Sequence, residues 1–233
     1  MDGILLFNKP ILWTSHDAVD FVRRRLRQTS VGHAGTLDPM ATGLLVMLVG
    51  KATKWSQELT GLDKVYRGAM ELGVTTDTQD MEGRILSFKR YESASQGRVE
   101  KVFLDLEGPQ SQTPPAFSAV HKEGKRLYEW ARQGKTFTVE PRQIKISRFH
   151  VERFSPPEIH FSLQCSKGTY VRALCDVVGE KLGTGAALSC LVRTRIGDME
   201  LAGALDQRDL QKLSAAEIQS RLLQKTVLGS PAK

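Results

Sequence analysis

Apolar and polar positions repeat with two different periods along this chain, and the elements they predict are strands and helices interleaved from end to end. Gly3-Ile-Leu-Leu-Phe7 reads as a short strand cut off by a turn at Asn8-Lys9-Pro10. Thr14 with Asp17 forms the pattern of a capping box, opening a helix through Leu26 with Val19, Val22 and Leu26 on one face. Leu44 to Val49 is a continuous apolar run of strand length, which predicts a buried strand. Tyr66, Gly68, Met70 and Leu72 fall on one side of a further strand, and Val99, Val102, Phe103 and Leu106 have helical spacing. The clearest strand runs from Ile159 to Cys165, where Ile159, Phe161, Leu163 and Cys165 alternate with polar residues. A helix follows it, with Val171, Leu174 and Val178 on its apolar face and Gly183 as its stop. Ser214 with Glu217 opens a last helix through about Leu223. This alternation predicts an α+β fold with a large mixed sheet.

Composition narrows the picture. The 233 residues carry 33 basic and 26 acidic side chains, a formal charge of +7. Apolar residues make up 40% and charged residues 25%, values that exclude intrinsic disorder and fibrous repeats. The length suits one large domain, and neither an internal repeat nor a Gly/Ser-rich or Pro-rich linker divides it. Three scattered cysteines, Cys165, Cys175 and Cys190, suit a reducing compartment. The short N-terminal apolar stretch and the six-residue run at Leu44–Val49 predict neither a signal peptide nor a membrane span. A cytoplasmic protein is expected. The charge is uneven. Lys122, Lys125, Arg126, Arg132, Lys135, Arg142, Lys145 and Arg148 face only Glu123, Glu129 and Glu140, and Arg23, Arg24, Arg25 and Arg27 make a second cluster. Each cluster reads as a solvated face or as a surface that tracks phosphates.

Two segments could carry chemistry. Val31-Gly-His-Ala-Gly-Thr-Leu-Asp-Pro39 predicts a loop between the first helix and the buried strand, stiffened where Pro39 keeps Asp38 out of the α region. Asp38 reads as a nucleophile or base on that loop, or as an ordinary Asp-Pro turn. His33 reads as a general base, a wedge into nucleic acid, or a solvated histidine. The five histidines show no metal-ligand spacing. Cys165-Ser-Lys-Gly-Thr-Tyr-Val-Arg172 joins the clearest strand to its helix, and it completes neither a Walker A loop nor a Ser-x-x-Lys motif. Tyr66 is either a core ring or a stacking platform for a base. Leu191-Val-Arg-Thr-Arg195 adds an apolar contact and two cations.

Taken in order, these segments resemble the TruB-type tRNA pseudouridine synthases. The resemblance rests on Asn8-Lys9-Pro10 with Thr14-Ser15, and on Gly32-His-Ala-Gly-Thr-Leu-Asp-Pro39 with Ala41-Thr42-Gly43. It continues through Lys64-x-Tyr66, Leu72-Gly73, Thr76-Asp-Thr78, Asp80 and Gly83, then Pro114-Pro115, Ser118-Ala119, Gly124-Lys125 and Tyr128. Ser166-Lys-Gly-Thr-Tyr170 with Arg172, and Leu191-x-Arg193-Thr194, complete it. The resemblance implies the pseudouridine synthase fold, a large mixed and mostly antiparallel sheet flanked by helices and loops. It implies isomerisation of uridine 55 in the T-loop of tRNA, with the base flipped out. Asp38 would be the essential carboxylate, attacking the ribose C1′ or abstracting a sugar proton. Tyr66 would stack on the base, Tyr170 would sit close to it, and Arg172 would pair with Asp38. Leu191 would line the pocket, and His33 would fill the space vacated in the T-loop. No cofactor, metal or guide RNA is expected, and the protein is expected to be a monomer with the tRNA T-stem-loop as its partner. Residues 1–233 would form a single catalytic domain with RNA-binding insertions and a short C-terminal helical tail, without a PUA domain. Rival expectations are an RNA-folding module and a nucleotide-binding transferase using Ser166–Thr169.

Overall fold

In the computed structural model, residues 1–115, 117–118, 121–122, 125–126 and 139–224 are described. Ala119, Gly124, Tyr128, Arg132 and Lys135 lie outside the described residues. The strands are β1 (Gly3–Lys9), β2 (Val31–Ala34), β3 (Ala41–Val49), β4 (Lys64–Leu72), β5 (Val74–Thr76), β6 (Ile85–Phe88), β7 (Gly108–Gln112), β8 (His121–Lys122), β9 (Lys125–Arg126), β10 (Arg142–Ser155), β11 (Glu158–Cys165), β12 (Ala186–Ile196) and β13 (Met199–Glu200). The helices are α1 (Ser15–Leu26), α2 (Ser56–Thr60), α3 (Gln96–Asp105), α4 (Val171–Leu182), α5 (Gln207–Lys212) and α6 (Ala215–Ser220). One nine-stranded sheet follows the order β1-β3-β12-β4-β11-β10-β7, with β13 beside β12 and β2 beside β3. The β3–β12 pair is parallel, whereas β1–β3, β2–β3, β7–β10, β10–β11 and β12–β13 are antiparallel. The mixed sheet with flanking helices is the α+β architecture expected from the sequence. The chain forms two compact units, residues 1–67 with 191–233, and residues 68–190.

In the first unit, β3 is apolar on both faces because both are covered. Leu45, Met47 and Val49 pack with Ala18, Val19, Val22 and Leu26 of α1, and with Leu210 and Ile218 of the short C-terminal helices. Leu44, Val46 and Leu48 face Ala52, Leu59, Ile196 and Met199. The capping box of α1 is present: Thr14 Oγ1 accepts from the Asp17 N–H, and Asp17 accepts from the Thr14 N–H. Two boundaries differ from expectation. The segment expected to be a loop from Val31 is strand β2 through Ala34, paired with β3, so the true loop is confined to residues 35–40. The last helix ends at Ser220 rather than near Leu223, because Leu223 exchanges backbone hydrogen bonds with Ile4 of β1.

In the second unit, β11 buries Ile159, Phe161, Leu163 and Cys165 on one face, as its alternation predicts. Phe103 of α3 stacks on Phe149 of β10 at 3.7 Å, and Phe161 meets both edge-on. The α4 helix ends at Gly183 in the left-handed region, φ 78°.

Candidate active site

The loop between β2 and β3 carries Asp38, half-buried, and it is tied down through its backbone carbonyls as well as by the buried side chains of Leu37 and Met40. Every carbonyl from Gly35 to Pro39 accepts a hydrogen bond. Arg193 donates from Nη2 to Gly35 O at 2.9 Å and from Nη1 to Thr36 O at 3.3 Å. Ser15, the first residue of α1, donates its hydroxyl to Leu37 O at 3.2 Å and accepts from the Leu37 N–H at 2.9 Å. Asp38 O accepts from the Ala41 N–H at 3.0 Å. Pro39 O accepts from Lys9 Nζ at 3.3 Å and from the Leu12 N–H at 2.9 Å. Two of these clamps are wholly buried cations, Lys9 at 0% and Arg193 at 1% exposure. A buried charge is tolerated only when its donors are engaged. Lys9 also donates to Pro10 O and Trp13 O, and Arg193 Nε to Leu44 O at 2.8 Å.

Gly43 explains how Arg193 reaches this position. It pairs with Arg193 in the parallel β3–β12 register, at φ 98°, and a Cβ there would lie 2.4 Å from the Arg193 carbonyl. Only glycine admits that approach. The same register sets Leu191, 8% exposed, beside Ala41. Tyr66, 7% exposed, points inward on β4, and its hydroxyl is hydrogen-bonded to Arg193. Burial lowers the Arg193 pKa from its ordinary value, and the charge and hydrogen bond of Tyr66 push it back up. His33 lies on β2 opposite Met47. Burial, then the Arg193 and His16 charges, hold its pKa below the usual histidine value, so it is neutral at pH 7.

The rim of the Asp38 loop is apolar. Ile11 and Leu12, in the turn between β1 and α1, are 58% and 73% exposed. Leu12 has φ 68°, a left-handed conformation that costs an L-residue roughly 1–2 kcal/mol.

In the second unit, Tyr170 caps α4, and Gln112 of β7 grips its backbone from both sides: Tyr170 N donates to Gln112 Oε1 at 2.8 Å, and Gln112 Nε2 to Tyr170 O at 3.0 Å. Arg172, 5% exposed, donates to Thr78 O and Phe117 O, lies 4.0 Å from Asp80 Oδ2, and has its guanidinium carbon 5.9 Å from the Tyr170 ring centroid. Asp80 is itself buried and accepts from the Thr78 hydroxyl and the Glu82 N–H. A Cβ at Gly83 would lie 2.1 Å from Thr78 Oγ1, which accounts for glycine there. In the Ser166–Thr169 turn, the Ser166 hydroxyl accepts from the Lys145 N–H and the Thr169 hydroxyl donates to Ser166 O, so both already serve the turn.

Lys9, Ser15, Arg193, Gln112 and Asp80 were not among the site residues expected from sequence. The sequence presents Lys9 as part of a turn and Arg193 as one of two cations beside an apolar contact, and only their place in the shared motifs marks them.

A family model described as TruB family pseudouridylate synthase (N terminal domain) matches residues 23–171. A "tRNA pseudouridine synthase B" from Opitutus terrae is 45% identical over 223 residues, covering 96% of this chain and 92% of the relative. A protein of the same name from Syntrophus aciditrophicus is 43% identical over 210 residues, covering 90% and 67%. Among solved structures, a chain in the crystal structure of a Cbf5-Nop10-Gar1 complex superimposes with a TM-score of 0.69 at 28% identity. It covers 89% of this chain, which spans about half the length (53%) of that one.

Proposed function

This chain belongs to the TruB family of pseudouridylate synthases, and we propose that it isomerises uridine 55 in the T-loop of tRNA, with Asp38 as the essential carboxylate. The names of its curated relatives support a tRNA pseudouridine synthase. The observation that carries the assignment of Asp38 is the saturated backbone on either side of it. A catalytic group must be held in productive geometry before substrate arrives, and a loop whose successive carbonyls are all engaged holds its side chain with little left to order.

The target nucleotide leaves its stack, and protein contacts offset the lost stacking. Tyr66 stacks on the flipped base. Its hydroxyl is tied to Arg193, so the ring loses little freedom on binding. Leu191 lines the pocket, and Tyr170 lies close to the base. His33, neutral and set on a strand, fills the space vacated in the T-loop. The Asp38 carboxylate adds to C1′ as the C1′–N1 bond breaks, or takes a sugar proton to the same end, and the bonding pair leaves with the uracil. After rotation C5 bonds to C1′ as the bond from C1′ to the carboxylate breaks, or as the sugar takes its proton back, the C5 proton departs and N1 gains one. Atoms and electrons balance without a redox partner.

The test is to incubate the purified protein alone with an unmodified tRNA T stem-loop transcript and map pseudouridine by chemical labelling. Conversion at the position of uridine 55, without any guide RNA, is expected. Conversion elsewhere only, or none, overturns the assignment.

A further inference from the structure

Leu12 breaks two local rules at once. A tight-turn position with positive φ calls for glycine or asparagine, and a position 73% exposed calls for a polar side chain. The chain places leucine there, preceded by Ile11 at 58% exposure. Neighbouring Trp13 turns the other way, packing against Phe7 and Phe21 with ring centroids 6.4 and 5.4 Å apart. The turn is therefore anchored through one side chain while it presents two aliphatic ones to the outside. It is also joined to the Asp38 loop: the Leu12 N–H donates to Pro39 O, and the Lys9 ammonium holds Pro10 O, Trp13 O and Pro39 O together. Strain of this kind persists where surrounding bonds over-determine it, and it gathers at sites of function.

We propose that Ile11 and Leu12 form an apolar wedge that packs against unstacked bases of the substrate RNA beside the flipped nucleotide. This rests on the function proposed above. The pair lies one residue along the backbone tether from the reacting carboxylate, where an RNA loop with an extruded base exposes apolar ring faces. Aliphatic wedges against opened base steps are a recurrent device of nucleic-acid binding. A second copy of the chain fits poorly, since two side chains supply little of the roughly 800 Å² per partner that a stable interface buries.

Leu12→Gly removes the wedge and relieves the strain, yet keeps the N–H that tethers Pro39. Leu12→Met keeps the apolar area. Each full-length variant is measured for melting temperature, for affinity to the T stem-loop transcript across a salt series, and for mass by light scattering. Leu12→Gly is expected to melt no lower than wild type and to bind about tenfold more weakly, with an unchanged slope of log K against log salt because no phosphate contact is lost. Leu12→Met should bind within about twofold of wild type. An affinity unaffected by Leu12→Gly overturns the wedge, as does a changed salt slope, or a changed mass with RNA affinity intact. If Leu12→Gly fails to fold, weak binding by a folded Leu12→Met overturns it equally. Loss of conversion by the wild type would sink the enzyme assignment instead, so the two failures are distinguishable.

Discussion

At the scale of the residue, the fold spends its most expensive groups beneath one loop. Arg193 is buried, yet its guanidinium serves three carbonyls and the Tyr66 hydroxyl, joining the Asp38 loop to the ring proposed to receive the base. A planar fork of donors does this, and a single ammonium does not. Arg193→Met would strand Gly35 O, Thr36 O, Leu44 O and the Tyr66 hydroxyl, each costing about 1–3 kcal/mol if left unsatisfied. Urea denaturation should therefore show a loss of at least about 4 kcal/mol, whereas a loss below about 1 kcal/mol would mean that the loop does not depend on Arg193. Such roles are hidden from sequence, because lysine and arginine are taken as exposed unless a partner is known. The carbonyls that hold Arg193 lie about 150 residues away in the chain. The orientation of Tyr66 was legible, since alternation along β4 alone turns it inward.

Among the elements, those with a strong period came through: α1 with its capping box, β11 with its alternation and α4 with its glycine stop, while the doubly covered β3 starts at Ala41, ahead of the apolar run from Leu44. The glycine-bracketed histidine segment misled, because two glycines read as a loop although β2 is only four residues long and is held by pairing with β3. The C-terminal stretch misled for a related reason. Asp206 with Asp209 opens a separate helix, α5, and the tertiary pairing of Leu223 with Ile4 stops the last helix at Ser220. Function reaches one cap directly, since Thr14 caps α1 and Ser15, the next residue, clamps Leu37. Thr14→Ala should lower stability by about 1 kcal/mol in denaturant titration, with a smaller effect on turnover. An unchanged midpoint would show that the cap contributes nothing.

For the molecule as a whole, the charge of +7 favours a polyanionic partner, but the structure sorts the basic residues. Arg25 donates to Leu210 O and Leu213 O, and Arg23 to Asp20 and Val31 O, so half of the cluster on α1 braces the fold, while Arg24 and Arg27 are exposed. On β10, Arg142, Lys145 and Arg148 are exposed. Reversing these three to glutamate should weaken tRNA binding and flatten the dependence of log K on log salt by up to about 0.9 per lost phosphate contact. An unchanged slope would return them to the role of a solvated face. The chemistry, however, rests on one carboxylate on a loop bound at every carbonyl. Its most direct test is single-turnover conversion of the T stem-loop by Asp38→Asn, with binding measured alongside. We predict affinity within a few-fold of wild type and turnover lower by on the order of 10³–10⁴-fold; conversion at the wild-type rate by the amide variant would contradict the account.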